Sequence, residues 1–101
     1  MAKKLGVGII GAGWPGQQHA RAVRATDRAE LYGIAESDRE RRTEFRETFS
    51  PRKTFSSYEE LLHDPEIDAV IICLPNFFHF PATLAALEAG KHVRSTPSGS
   101  D

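Results

Sequence analysis

Five glycines fall within the first sixteen positions, at 6, 8, 11, 13 and 16, in and just after a β-branched run of Leu5, Val7, Ile9 and Ile10. Two overlapping G-x-G-x-x-G patterns result, one over Gly6, Gly8 and Gly11, the other over Gly11, Gly13 and Gly16. Context chooses between them. The first lies inside the apolar run, which reads as a strand buried on both faces, and it opens no helix. The second follows that strand and starts a helix-favouring segment, residues 16–25, with Ala20 and Val23 three apart on one face. There each glycine has a mechanical reason: Gly11 permits a tight turn, Gly13 lets the backbone approach a pyrophosphate, and Gly16 allows close packing of helix on strand. Amides at the helix start then face the anion.

Twenty residues beyond Gly16, Glu36 closes a second extended run, Leu31 to Ala35. A carboxylate at that distance accepts hydrogen bonds from the ribose hydroxyls of an adenine dinucleotide. Glycines at a strand–helix corner are often turn residues only. Strand, glycines, helix, strand and acid in that order point to dinucleotide binding. The charge of Glu36 would repel a 2'-phosphate, so NAD is expected over NADP, although Ser37, Arg39 and Arg41 would accommodate a phosphate if Glu36 turned away. Pro15 lacks the amide that this corner would otherwise offer, while its fixed φ suits a first helical turn.

The rest of the chain alternates between helix and strand signals. Eight of the ten residues from Asp38 to Glu47 are charged, four of each sign, and Phe45 and Phe49 supply the apolar stripe of an amphipathic surface helix. Residues 53–55 read as a brief strand, and Ser56 or Ser57 as the cap of a helix over 58–63. Ala69-Val-Ile-Ile-Cys-Leu74 has no polar interruption and suits a central parallel strand over 68–74. A last helix is expected from Pro81 to Ala89, ended by Gly90, before a fifth extended piece opens at His92. From Arg94 onward no apolar residue appears. The fold class is therefore α/β: a doubly wound, Rossmann-like parallel sheet of about five strands in one domain, residues 1–93, with a polar tail at 94–101.

Composition narrows the partners. Thirteen Lys plus Arg balance fourteen Asp plus Glu, which disfavours nucleic acid. The run from Leu5 to Ile10 is too short for a signal peptide or a membrane span. One cysteine rules out an internal disulfide and a multi-thiolate metal site, and a reducing cytoplasm fits best. Cys73 itself reads as a small core residue. His19, His63, His79 and His92 have no metal-ligand spacing. Phe77, Phe78 and Phe80 are expected to line the core and the crevice; any of them left exposed would form a patch that drives self-association. A monodisperse monomer in light scattering at high concentration would count against that expectation.

Taken together, Val7 to Gly16, Glu36, Tyr58-Glu-Glu-Leu-Leu62, Asp68-Ala-Val-Ile-Ile-Cys-Leu-Pro-Asn76, His79 and Ala86-Leu-Glu-Ala-Gly-Lys-His-Val93 resemble the Gfo/Idh/MocA oxidoreductases over about residues 4–93. The resemblance implies an N-terminal NAD(P)-binding Rossmann domain, with Gly11, Gly13, Trp14 and Gly16 on the pyrophosphate and Glu36 on the adenosine ribose. Leu74, Pro75 and Asn76 would lie near the nicotinamide half, although Asn76 also reads as a turn or helix cap, and His79 as an aid to the helix start. In the full-length family this module serves hydride transfer on sugar- or polyol-like substrates. Where similar proteins carry Glu-Lys-Pro, this chain has Arg94-Ser95-Thr96-Pro97, so no residue inherits that lysine and no catalytic residue is assigned. The substrate domain is expected to be absent, which makes the chain a cofactor-binding module, alone or with a partner chain. The alternatives are a non-catalytic cofactor-sensing or interaction module and a non-binding remnant.

Overall fold

A run of Val and Ile without polar interruption can be buried on both faces, and Leu5–Ile10 is the middle strand of the sheet, buried from Gly6 onward. The computed structural model describes residues 4–74 and 76–95, with the backbone alone described for 76–79 and 95. In chain order the elements are β1 (Leu5–Ile10), α1 (Trp14–Ala25), β2 (Ala29–Ala35), α2 (Arg39–Phe49), β3 (Lys53–Phe55), α3 (Tyr58–Leu62), β4 (Ala69–Ile72), α4 (Asn76–Glu88) and β5 (His92–Ser95). The strands pair in parallel in the order β3-β2-β1-β4-β5. These are the first five positions of the 3-2-1-4-5-6 doubly wound arrangement, with the reversal of direction falling between β1 and β4.

Two apolar layers sandwich the sheet. Val7, Ile9, Leu31, Ile34 and Ile71 meet Ala20 and Val23 of α1 and Phe45 and Phe49 of α2. The two phenylalanine rings sit 4.7 Å apart between centroids. On the other face Ile10, Ala35, Val70 and Ile72 meet Leu61 and Leu62 of α3 and Ala82 and Ala86 of α4. Gly16, Ala20 and Val23 are the buried residues of α1, so the helix presents only small side chains to the sheet at its start and lies close to it.

Local chemistry sets the helix ends. α1 starts two residues before the expected Gly16, with Gly13 as its cap and Pro15 in its first turn, where a missing N–H breaks no intrahelical bond. Asp38 caps α2, its Oδ1 accepting from the amides of Glu40 at 2.9 Å and Arg41 at 3.2 Å. Ser57, rather than Ser56, caps α3. The expected start of α4 at Pro81 is corrected: the helix begins at Asn76 and holds Pro81 inside it. An internal proline forfeits the bond to the carbonyl four residues back, at a cost of about 3 kcal/mol. Ala82 and Ala86, the two positions that follow Pro81 on the inner face, are buried against the sheet. β5 continues through Arg94 and Ser95, because its pairing with Ile71 and Ile72 of β4 needs main-chain groups and no apolar side chain. Residues 96–101, including Pro97, lie outside the described residues. Among the described residues no helix is long and apolar enough to cross a membrane.

At the amino ends of β3, β4 and β5 a polar knot ties the sheet together. The buried Asp64 carboxylate accepts from Lys53 Nζ at 2.8 Å and from the Glu66 amide at 2.9 Å. Lys91 Nζ donates to the carbonyls of Asp64 and Ile67. Burial alone would raise the Asp64 pKa, but the Lys53 hydrogen bond, the Glu66 amide and the charges of Lys53 and Lys91 outweigh it and hold it below 3.8. A folded-state pKa below the unfolded one adds stability that is complete above the unfolded value and is lost as pH falls through the folded value. Asp64→Asn should therefore lower stability at about pH 7 by roughly 1.5–3 kcal/mol, as expected for charge-assisted hydrogen bonds. It should also flatten the loss of stability below about pH 4. Urea midpoints across the acid range check both.

Candidate functional site

At the carboxyl end of β1 the chain must turn into α1 within three residues. Gly11 makes the turn with φ +104°, a left-handed conformation that glycine adopts without strain. Its amide donates to the Ala35 carbonyl at 2.9 Å, while the Cys73 amide donates to the Ile10 carbonyl at 2.8 Å. The turn is thus gripped by β2 on one side and by the end of β4 on the other.

The three fingerprint glycines meet different surroundings. A Cβ on Gly11 would stand 2.6 Å from the Cys73 carbonyl oxygen, and one on Gly16 would stand 2.0 Å from the Gly11 carbonyl oxygen. A Cβ on Gly13 would meet nothing nearer than Pro15 Cδ, at 4.0 Å. Gly11 and Gly16 therefore serve packing, while Gly13 borders open space. Trp14 and Gly16 lie in the first turn of α1, where amides have no acceptor inside the helix; Gln17 is the first to bond back, to the Gly13 carbonyl at 3.0 Å. Donors and the positive end of the helix dipole thus gather at this corner.

The open space belongs to a cleft of about 540 Å³ along the carboxyl ends of the strands. Gly11, Gly13 and Pro15 form one wall, Glu36, Ser37 and Arg41 another, and Cys73 and Leu74 the floor beside β4. Glu36 stands where its sequence spacing places it. Its Oε1 accepts from the Ala12 amide and its Oε2 from the Asp38 amide, each at 2.9 Å. A carboxylate offers about four lone-pair sites, so two stay open to further donors. Of the three residues named as possible phosphate ligands, Ser37 and Arg41 line the cleft.

Trp14 contributes its main chain to the helix start, while the residue as a whole is 71% exposed. Leu74 reaches the cleft. Pro75 lies outside the described residues; Asn76 is the first residue of α4, and its side chain, like those of Phe77, Phe78 and His79, also lies outside them. Phe80 is 73% exposed. Cys73 is buried as expected, and desolvation pushes its thiol up to about 11, which leaves it protonated and unreactive at neutral pH. The sequence alone does not point to a third wall, Ser56 to Glu59, whose serines read as helix-cap candidates and whose Tyr58 and Glu59 read as the start of the helix. The available signal was position: these residues follow β3 directly, and ligands of open α/β sheets gather at the carboxyl ends of strands.

Known proteins share this arrangement. The model of an oxidoreductase family with an NAD-binding Rossmann fold matches residues 5–94. Myo-inositol 2-dehydrogenase from Thermotoga maritima is 34% identical over 87 residues, covering 86% of this chain and 26% of that protein. Scyllo-inositol dehydrogenase from Lactobacillus casei, solved with bound NAD(H) and scyllo-inositol, superposes with a TM-score of 0.85 at 29% identity, over 92% of this chain and 28% of the other. A 3-ketoreductase from Actinomadura kijaniata, solved with NADP, gives 0.86 at 31% identity, over 92% and 29%. The chain spans about a quarter of the length of the curated relatives it matches. A match that runs through both layers of the sheet and the whole glycine corner makes this chain a member of the Gfo/Idh/MocA oxidoreductases, and what it carries of them is the NAD-binding Rossmann fold.

Proposed function

We propose that this chain is the cofactor-holding module of an NAD(P)-dependent oxidoreductase and that the dinucleotide lies along the cleft, across the reversal between β1 and β4. The observation that carries the reading is the contrast among the glycines: the one beside open space is the one whose backbone must approach a pyrophosphate. The amides of Gly13, Trp14 and Gly16 hold the pyrophosphate, and Gly11 sets the turn that presents them. The free lone pairs of Glu36 take the adenosine ribose hydroxyls, and Leu74, Pro75 and Asn76 border the nicotinamide half. When bound, the dinucleotide supplies hydride transfer. The chain's own residues bind and orient it, with Leu74 and the neutral Cys73 lining the inner wall. The substrate-orienting pocket and the base for the hydroxyl proton are assigned to no described residue, and polyols or sugars are the proposed substrates of the whole enzyme, as the relatives' names suggest.

NAD is the proposed cofactor over NADP. The Glu36 carboxylate is anchored by two amides, and a 2'-phosphate placed beside it would meet a fixed negative charge. Calorimetric titration with NADH and NADPH tests the reading. Tighter binding of NADH supports it, and binding of neither makes the chain a remnant.

Pro15 tunes the same corner. It occupies the second helical position, where any other residue would add an amide donor. A charge-assisted bond is worth about 1.5–3 kcal/mol, so Pro15→Ile should tighten NADH binding by roughly tenfold or more. An unchanged or weaker dissociation constant by calorimetry rejects this.

A further inference from the structure

β2 contains one residue too many for its pairing with β1. Val7 pairs with Leu31, but Gly8 pairs with Gly33, which leaves Tyr32 without a partner on β1. Side chains in a strand alternate between faces, and an extra residue inverts the alternation beyond it. Leu31 and Ile34 join the layer beneath α1 and α2, whereas Tyr32 and Ala35 join the layer beneath α3 and α4. A Cβ on Gly33 would meet Phe55 at 3.0 Å and Ile67 at 3.2 Å, members of the same layer as Tyr32. Positions 32 and 33 thus share one face, which is why the second carries no side chain. Strict alternation from Leu31 would aim residue 36 toward α3 and α4. With the bulge, Glu36 follows Ile34 to the α1 side and reaches the Ala12 amide.

The backbone of Glu36 is fixed as well. Its amide donates to the Phe55 carbonyl at 3.0 Å, and its carbonyl accepts from Arg42 Nη1 at 2.7 Å. The carboxylate is therefore a short strut on a rigid base, tied at Oε1 to the middle of the glycine turn and at Oε2 to the amide of the α2 cap residue, Asp38. From this geometry we infer that Glu36, aimed by the Tyr32 bulge, is a positioning residue that holds the Gly11–Gly13 turn in its anion-receiving shape before any ligand arrives. The inference rests on the proposed dinucleotide site and adds a role to Glu36 that does not depend on touching ribose.

Amide hydrogen exchange without ligand tests the strut directly. In Glu36→Ala the Ala12 amide should exchange at least tenfold faster, while the amides of Ile9 and Ile34 keep their protection; an unchanged Ala12 rate overturns the inference. If that variant does not fold, Glu36→Gln, with one acceptor in place of two, should speed exchange at Ala12 or at Asp38, and no change at either overturns it. Binding gives a second readout. An NADH analogue lacking both adenosine ribose hydroxyls cannot contact Glu36 through them, yet should bind Glu36→Ala at least fivefold more weakly than it binds the unaltered chain. Equal binding reduces Glu36 to a ribose contact and overturns the inference. If the unaltered chain binds no dinucleotide, the proposed function fails, and the exchange rates still decide the strut.

Discussion

Gly13→Ala should leave the fold standing and cost the chain most of its affinity for NADH. Gly13 caps α1 at φ −73° and ψ −169°, extended backbone that alanine adopts freely. The new methyl would meet no atom nearer than 4.0 Å. Two small effects on stability oppose each other. Alanine reduces the entropy of the unfolded chain, a gain of about 0.4–1 kcal/mol, and it is a poorer helix cap than glycine, a loss of similar size. The urea midpoint should thus move by less than about 1 kcal/mol equivalent. Binding has no such compensation in the proposed site, because the methyl would stand in the open space that Gly13 borders, where the backbone is proposed to approach the pyrophosphate most closely. Loss of one charge-assisted bond, about 1.5–3 kcal/mol, weakens NADH by roughly 10- to 100-fold. Calorimetry and a urea titration on the same preparation check both halves. An unaltered dissociation constant would remove the pyrophosphate from this corner.

The order of elements was readable because each carries its own physical signature. The uninterrupted run from Ala69 reads as a strand covered on both faces and is one over Ala69–Ile72, shorter than the expected 68–74, while Phe45 and Phe49 bury one face of a helix otherwise charged or polar. The spacing from Gly16 to Glu36 located the acid, since that separation is the length of one helix and one strand. What the spacing could not reveal is the face on which the acid emerges. That depends on the unpaired Tyr32, and its trace in the sequence is Gly33, which looks like any strand glycine until Phe55 and Ile67 are seen to occupy the space beside it. Pro81 misled for a related reason. Proline marks the first turn of many helices, but α4 begins five residues earlier, at Asn76, and carries Pro81 inside it. Ser56 to Glu59 are likewise legible as a capped helix start and illegible as a wall, because β3 has to be placed at the sheet edge before its carboxyl end can be seen to border the cleft.

Gly16→Ala should do the opposite of Gly13→Ala and act on the fold itself. Its Cβ would fall 2.0 Å from the Gly11 carbonyl oxygen and 3.2 Å from the carbonyl carbon, with Ile9 Cγ2 at 3.4 Å. No flexible side chain is available to yield. The obstructing group is backbone, held in place through the Gly11 amide on Ala35 and through the strand that precedes it. The start of α1 must therefore lift from β1, and Ala20 and Val23 behind it, both buried, lose contact with the sheet. Overpacking of a tight core costs about 1–3 kcal/mol where side chains can adjust. Here only backbone can move, and about 3 kcal/mol or more is expected, a large part of the 5–15 kcal/mol that typically holds a domain together. The urea midpoint should drop accordingly. A variant within about 1 kcal/mol of the unaltered chain would mean that the Gly11 carbonyl leaves room for a side chain at position 16. Because Gly16→Ala also displaces the helix amides, its loss of binding identifies nothing by itself. The informative comparison is between two alanines three positions apart, one costing affinity at constant stability and the other costing stability first. The pair separates the glycine that makes room for a ligand from the glycine that makes room for the helix.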